Sequence, residues 1–284
     1  MILQKRIWQH RGLQWLRVLV LEAKIVMMQL PIFSFIISQE RRIYFDDIYP
    51  LTKIIPGEDE VNKYEALYLN RLLITQAPAI ALGNAKKELV HLASYAIQSL
   101  EDSYAFFDKG DEKYFDKVEK YETAVNSIDE ELTTYLIEIS NELLSVYENE
   151  ILASVLDSVR DLERIGNLAV ASANLSQHIH NKGIEFSGTA KAELEDVYNR
   201  THRIDLDSIR VVVDDDKVLA GQVILRHEEL KKFEKQLRMI HTKRLNNGEC
   251  TAQAGINYVD YLSYYTRIAD YAINLVEKVT EGVI

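Results

Sequence analysis

The chain has 284 residues, a formal net charge of −11 at pH 7 and a single cysteine. One cysteine excludes an intramolecular disulfide framework, and the acidic balance excludes nonspecific binding to nucleic acid, which requires a basic surface. All four prolines lie before residue 79. Because turn-rich folds depend on proline and glycine, this distribution excludes β-sandwiches and β-barrels.

Residues 1–54 differ in composition from the rest of the chain. They contain eight Lys and Arg against four Asp and Glu, both tryptophans, and an apolar run of 14 residues at 25–38. A spanning helix needs about 20 mostly apolar residues, so this run is too short. We expect an atypical N-terminal segment that is interfacial, buried or a remnant of a membrane region. Residues 55–78 are expected to form a linker and a helix that leads into the next part.

Apolar residues recur every three or four positions from residue 79 onward, which is the period of an amphipathic helix. The pattern predicts three long helices over 79–182 and three more over 187–284. Short breaks between long helices make neighbours antiparallel, so we expect an all-α fold of two three-helix bundles. The clearest breaks lie at residues 109–111, 181–188, 214–216 and 246–248.

The two sets of three helices resemble each other in sequence. Residues 85–89 (AKKEL) are echoed by residues 190–194 (AKAEL), an offset of 105. Residues 164–167 (RIGN) are echoed by residues 267–270 (RIAD), an offset of 103. Similar offsets in two distant blocks indicate a duplicated three-helix unit.

A polar stripe follows the third helix of each set. Glu163 and Asn167 share a face in the first copy, and Asp270 and Glu277 share a face in the second. Carboxylates arranged in this way suit a metal ion, because side chains four residues apart meet on one helix face. Apolar residues flank the first stripe, which predicts that it lies near the core-facing side. The alternative is an ordinary strip of solvated charges.

The blocks that carry this stripe resemble a known family. Residues 161–169 (DLERIGNLA) are similar to the LERIGDHA signature of PhoU proteins, and residues 264–272 (YYTRIADYA) are similar to a second copy of it. PhoU proteins are duplicated three-helix bundles, so the resemblance implies the same PhoU-like architecture. Further segments resemble the C-terminal PhoU-like domain of bacterial sodium/phosphate cotransporters; they lie at residues 54–57, 75–82, 86–88 and 241–251.

The resemblance implies a regulatory role rather than an enzymatic one. It implies a cytoplasmic domain, at the inner face of the cell membrane, that regulates phosphate uptake by contacting a membrane phosphate transporter or transport domain. The membrane surface and a second copy of the chain, forming a homodimer, are further partners to test. Two alternatives stay open: a free-standing PhoU-type adaptor that regulates a phosphate transporter and its sensor kinase, and a metal-binding helical bundle.

The sequence departs from the family at the metal positions. The family's Glu/Asp-x-x-x-Asp pairs can hold clusters of iron or zinc, and each copy here lacks one carboxylate. The first copy reads Glu163 and Asn167, and the second reads Thr266 and Asp270. An amide or hydroxyl ligates through oxygen without the charge that dominates affinity for such ions. The remaining candidate ligands for iron or zinc are Glu163, Asn167, Asp270 and Glu277.

Two other groups of residues have a functional and an ordinary interpretation. Glu88 and His91 have the Glu-x-x-His spacing of di-iron bundles, but such sites need two copies, so we expect His91 to lie at the surface or its boundary. The fifth long helix carries basic residues that either pair with local acids or dock onto an anionic membrane surface. They are Lys231, Lys232, Lys235, Arg238, Lys243 and Arg244.

Overall fold

The computed structural model describes residues 65–284. The described part of the chain contains seven helices and no strand. They are α1 (Leu72–Gln76), α2 (Pro78–Lys109), α3 (Glu112–Ser140), α4 (Val146–Lys182), α5 (Gly188–Asp214), α6 (Lys217–Asn246) and α7 (Ala252–Glu281).

The helices end where the sequence provides termination and capping signals. Gly110 and Gly183 follow α2 and α4 in the left-handed conformation, with φ of 66° and 60°, which glycine adopts without a side-chain clash. The side chain of Asp111 accepts a hydrogen bond from a backbone N–H in the first turn of α3. Ser145 and Glu148 form a reciprocal capping box at the start of α4. The predicted breaks at 109–111 and 181–188 are therefore confirmed.

Helices α2, α3 and α4 pack into the first bundle, and α5, α6 and α7 pack into the second. The apolar stripes of these helices face inward and form a continuous core of aliphatic and aromatic side chains. The predicted all-α, duplicated three-helix architecture is confirmed. Burial of these stripes supplies the main stabilisation of the long helices, whose intrinsic propensity alone is weak.

The two bundles meet through α4 against α7 and α2 against α5. Ser176 of α4 and Tyr261 of α7 are joined by a buried hydrogen bond of 2.6 Å between their hydroxyl oxygens. The rings of Tyr104 in α2 and Tyr198 in α5 stack with centroids 3.8 Å apart. The first and third helices of each repeat thus form the main contact between the bundles.

The prediction for residues 1–54 and most of the predicted linker at 55–78 lie outside the described residues. Within the described part of that linker, α1 is a short helix of five residues. None of the helices between residues 65 and 284 is both long and apolar enough to cross a membrane.

Candidate functional site

The polar stripe of the first bundle lies at the outer edge of α4. The amide nitrogen of Asn167 donates a hydrogen bond of 2.6 Å to Oε1 of Glu163. Asn167 is exposed, and Glu163 is half-buried. The predicted position near the core-facing side is therefore wrong for Asn167, because the buried residues beside it, Gly166 and Leu168, occupy that side.

Asp129 of α3 lies opposite this pair. Burial, reinforced by the negative charge of Glu163, raises the pKa of Asp129 above its ordinary value, and a hydrogen bond with Thr133 opposes the shift only in part. The first bundle thus places two acidic side chains near each other across α3 and α4. Asp129 was missed at the sequence level because it lies on the second helix of the repeat, outside the motif.

In the second bundle, basic side chains of α6 contact the polar stripe on α7. Asp270 of α7 is 2.7 Å from Nε2 of His227 and 3.1 Å from Nζ of Lys231, both on α6. Burial opposes ionisation of Asp270, but these two partners outweigh burial and lower the pKa of this carboxyl below its ordinary value. His227 and Lys231 lie four residues apart, so they share one face of α6.

A second ion pair continues this arrangement along the same helix. Glu234 of α6 is buried and pairs with Arg238, whose guanidinium also donates a hydrogen bond of 2.9 Å to the hydroxyl of Ser263. Glu234 follows Asp129 by the same offset of 105 that relates the two repeats. The repeat offset is the signal that would have identified Glu234 once Asp129 was known.

Glu277 lies apart from the other predicted ligands. It lines a cleft of about 340 Å³ between the C-terminal half of α7 and α4. At the bottom of the cleft, buried Asp161 accepts hydrogen bonds from Asn274 at 3.2 Å and from Lys278 at 3.3 Å. The cleft is lined by Asp157, Arg160, Asp161, Arg164, Asn274, Glu277, Lys278 and Glu281. This polar contact ties the two repeats together.

The donors at these positions do not fit a cluster of iron or zinc ions. The amide nitrogen of Asn167 donates a hydrogen bond to Glu163, and Asp270 contacts Lys231 and His227. Between residues 65 and 284, no group of three or more His, Cys, Asp or Glu side chains is arranged to hold a metal ion. The metal site formed by Glu163, Asn167, Asp270 and Glu277 stays a prediction.

The interpretation of His91 as a surface or boundary residue is wrong. Glu88 is fully buried and His91 is nearly so, and Nδ1 of His91 is 2.7 Å from Oε1 of Glu88. The basic residues of α6 follow the ordinary interpretation in part. Arg238 and Arg244 pair with the acids Glu234 and Glu193, respectively.

Comparison with known sequences identifies the repeats. The PhoU domain matches residues 89–175 and 194–279, which fall within α2–α4 and α5–α7. The chain belongs to the PhoU family. The resemblance to PhoU proteins is therefore confirmed, whereas the narrower resemblance to the cotransporter domain stays a prediction.

A PhoU protein of known name matches about two thirds of the chain. Over 195 residues, the chain is 23% identical to the phosphate-specific transport system accessory protein PhoU homolog 1 of Thermotoga maritima. The match covers 68% of this chain and 83% of that protein.

Two solved structures share the fold. PhoU from Pseudomonas aeruginosa matches with a TM-score of 0.64 and 17% identity, over 73% of this chain and 99% of that one. The phosphate transport system regulatory protein PhoU from Streptococcus pneumoniae matches with a TM-score of 0.64 and 14% identity, over 72% and 95%.

Proposed function

We propose that this chain regulates phosphate transport as a PhoU-type protein, without enzymatic activity of its own. The observation that carries the proposal is the match of the PhoU domain to each repeat in turn, at the positions where the two three-helix bundles lie. The chain acts by contact: its long helices present extended faces to a membrane phosphate transporter or transport domain. We place it in the cytoplasm at the inner face of the membrane, where such a transporter exposes its regulatory surface.

In the leading version of the proposal, the transporter belongs to the sodium/phosphate cotransporter class. The segments at residues 75–82 and 241–251 that resemble the cotransporter domain support this version. The first segment covers the end of α1 and the start of α2, and the second covers the end of α6 and the loop before α7.

A free-standing PhoU-type adaptor is the second candidate. The Thermotoga maritima relative is named as an accessory protein of a phosphate-specific transport system, and the match covers 83% of it. In this version the partners are a phosphate transporter of that system and a sensor kinase.

Deletion of the gene, followed by measurement of phosphate uptake with and without sodium, separates the two versions. A change confined to sodium-dependent uptake supports the cotransporter version. A change confined to sodium-independent uptake, with an altered phosphate-starvation response, supports the adaptor version. Unchanged uptake together with an unchanged starvation response rejects both. Re-expression of the full chain is the control, because it must restore the original uptake.

The outer face of α6 is the surface that we propose meets the membrane partner. Lys232, Lys235 and Lys243 are exposed on this helix, and Met239 beside them is 61% exposed. A basic face with an exposed apolar side chain complements an anionic membrane surface, where each lysine contributes about 1 kcal/mol.

Charge reversal tests the α6 surface. Lys232→Glu, Lys235→Glu and Lys243→Glu together are expected to abolish complementation of the deletion and to weaken co-sedimentation with vesicles containing anionic lipid. The matched control reverses three exposed lysines on other helices: Lys87→Glu, Lys120→Glu and Lys191→Glu. The α6 surface is excluded if both triple variants behave alike.

A further inference from the structure

The buried carboxylate of Glu88 is satisfied by a segment that lies outside the bundle. Oε2 of Glu88 accepts hydrogen bonds from the backbone N–H groups of Leu67 at 2.8 Å and Tyr68 at 2.7 Å. Its other oxygen, Oε1, pairs with His91 within α2. A carboxylate without solvent exposure is costly unless it is hydrogen-bonded, so Glu88 depends on this segment for two of its three partners.

Besides these hydrogen bonds, the segment is held by Leu69, which packs half-buried against the core, and by two contacts with α3. Tyr135 of α3 donates a hydrogen bond of 3.1 Å from its hydroxyl to the carbonyl of Asn70, and Arg71 forms an exposed ion pair with Glu138. Leu67 is 58% exposed, so its side chain contributes little burial. Residues 65–71 are therefore attached by hydrogen bonds and by the packing of Leu69, and Glu88 is the buried polar anchor.

The second repeat satisfies the equivalent acid in a different way. Glu193 follows Glu88 by the repeat offset of 105. It accepts two hydrogen bonds from Arg244, at 3.1 and 2.6 Å, and one from the hydroxyl of Tyr258 at 2.6 Å. These partners belong to α6 and α7 of the same bundle. The acid of the second repeat is thus satisfied within its own bundle, whereas the acid of the first repeat is not.

We propose that residues 65–71 form a releasable strap, latched onto the first bundle by Glu88. Release of the strap uncovers Glu88, His91 and Tyr95 of α2. The ring of His91 lies between the two neighbouring aromatic rings: its centroid is 6.4 Å from that of Tyr68 in the strap and 5.0 Å from that of Tyr95 in α2. The second bundle, which has its own side-chain latch, stays closed when the strap lifts. This inference does not depend on which phosphate transporter is the partner.

Hydrogen–deuterium exchange on the full chain tests the strap. Glu88→Gln keeps the shape of the anchor but removes its charge, and hydrogen bonds to a charged group are stronger than those to a neutral one. We expect exchange of the backbone amides of residues 67–71 to rise at least about tenfold, while exchange in α5–α7 stays unchanged. Glu193→Gln is the matched control: it is expected to raise exchange where α6 ends and α7 begins, and to leave residues 67–71 unchanged.

Unchanged exchange at residues 67–71 in Glu88→Gln would overturn the proposal. An equal rise throughout α2, α3 and α4 would overturn it as well, because Glu88 would then be an ordinary core residue. Tyr135→Phe provides an independent test without touching the buried charge. Loss of its hydrogen bond to Asn70 is expected to raise exchange at residues 67–71 between about two- and tenfold in an otherwise intact bundle, and no rise would contradict the strap.

Discussion

Asp205 of α5 is a buried acid whose pKa is raised by the fold. It is 1% exposed, and its Oδ2 has no hydrogen-bond partner among the described residues. Burial raises the pKa of Asp205 to about 7, the charge of nearby His202 opposes this, and that of Glu101 adds to it. His202 and Glu101 pair with each other at 2.7 Å, across the contact between the two bundles. A carboxyl in this environment couples stability to pH.

The sign of that coupling follows from the two protonation states. In the unfolded chain Asp205 loses its proton near pH 4, whereas in the folded chain it keeps the proton to about pH 7. Between these two pH values the folded state therefore binds more protons than the unfolded state. The contribution of Asp205 to stability is present below about pH 4 and is lost as pH rises through 7. The loss amounts to roughly 4 kcal/mol, since each pKa unit corresponds to about 1.4 kcal/mol.

Asp205→Asn is expected to stabilise the protein at pH 8 by roughly 2 to 4 kcal/mol and to have little effect at pH 4, because the amide is neutral at both values. Urea denaturation at the two pH values measures the difference. Asp196→Asn is the control: Asp196 is a half-buried acid of the same helix that pairs with Arg200, and its replacement should change stability by less than about 0.5 kcal/mol. An equal effect of Asp205→Asn at pH 4 and pH 8 would contradict the assigned protonation.

The candidate site was only partly predictable from the sequence. The motif identified Glu163, Asn167 and Asp270, because a repeated block within one helix is visible in one dimension. It could not show that His227 and Lys231 face Asp270, since they lie on another helix about 40 residues earlier in the chain. Which helix faces meet is decided by packing of the whole bundle, and no local spacing encodes it.

At the level of the elements, the contact between α6 and α7 is held by ion pairs of the chain itself. Lys231 and His227 of α6 contact Asp270 of α7, and Arg238 of α6 donates a hydrogen bond to Ser263 of α7. We expect chelation with EDTA to leave the melting temperature of the purified full chain unchanged, and metal analysis to find no stoichiometric iron or zinc. A fall in melting temperature that added metal restores would contradict this interpretation and support the predicted metal site.

Two glycines of the first bundle allow a matched test of helix termination. Gly110 ends α2 with φ of 66°, and a Cβ there would lie 3.4 Å from the ring of His180. Gly83 lies inside α2 with open space around it. Gly110→Ala is expected to cost about 1 to 2 kcal/mol, because alanine is strained in the left-handed conformation. Gly83→Ala is expected to gain up to about 1 kcal/mol.

Thermal or urea denaturation of both glycine variants measures these changes. Loss of stability in both, or in neither, would contradict the conformational argument. The sequence already pointed to the end of α2 at residues 109–111, because glycine followed by a capping acid is a local signal. The five-residue helix α1 had no such signal, since so short a segment shows little periodicity and is positioned by its contacts with the bundle.

At the level of the whole molecule, aromatic side chains join the two repeats. Phe107 of α2 contacts Tyr261 of α7 with ring centroids 4.9 Å apart, and Tyr104 of α2 stacks on Tyr198 of α5 with centroids 3.8 Å apart. The duplicated sequence predicted two bundles but not which helices meet. Both bundles contribute to one continuous core, so we infer that they unfold together.

The stacked pair of Tyr104 and Tyr198 tests whether this layer couples the bundles. Each ring belongs to a different repeat, so their mutual attraction exists only when the bundles are docked. A double-mutant cycle with Tyr104→Leu and Tyr198→Leu is expected to give a coupling of roughly 0.5 to 1.5 kcal/mol in urea denaturation, the range for aromatic pairs.

The matched cycle pairs Tyr104→Leu with Tyr147→Leu, which is exposed at the start of α4, and should give a coupling near zero. Calorimetry of the native chain is expected to show one transition whose measured enthalpy equals its van't Hoff enthalpy. If the bundles are instead independent, two transitions appear, and the Tyr104–Tyr198 coupling vanishes because each substitution then acts within its own repeat.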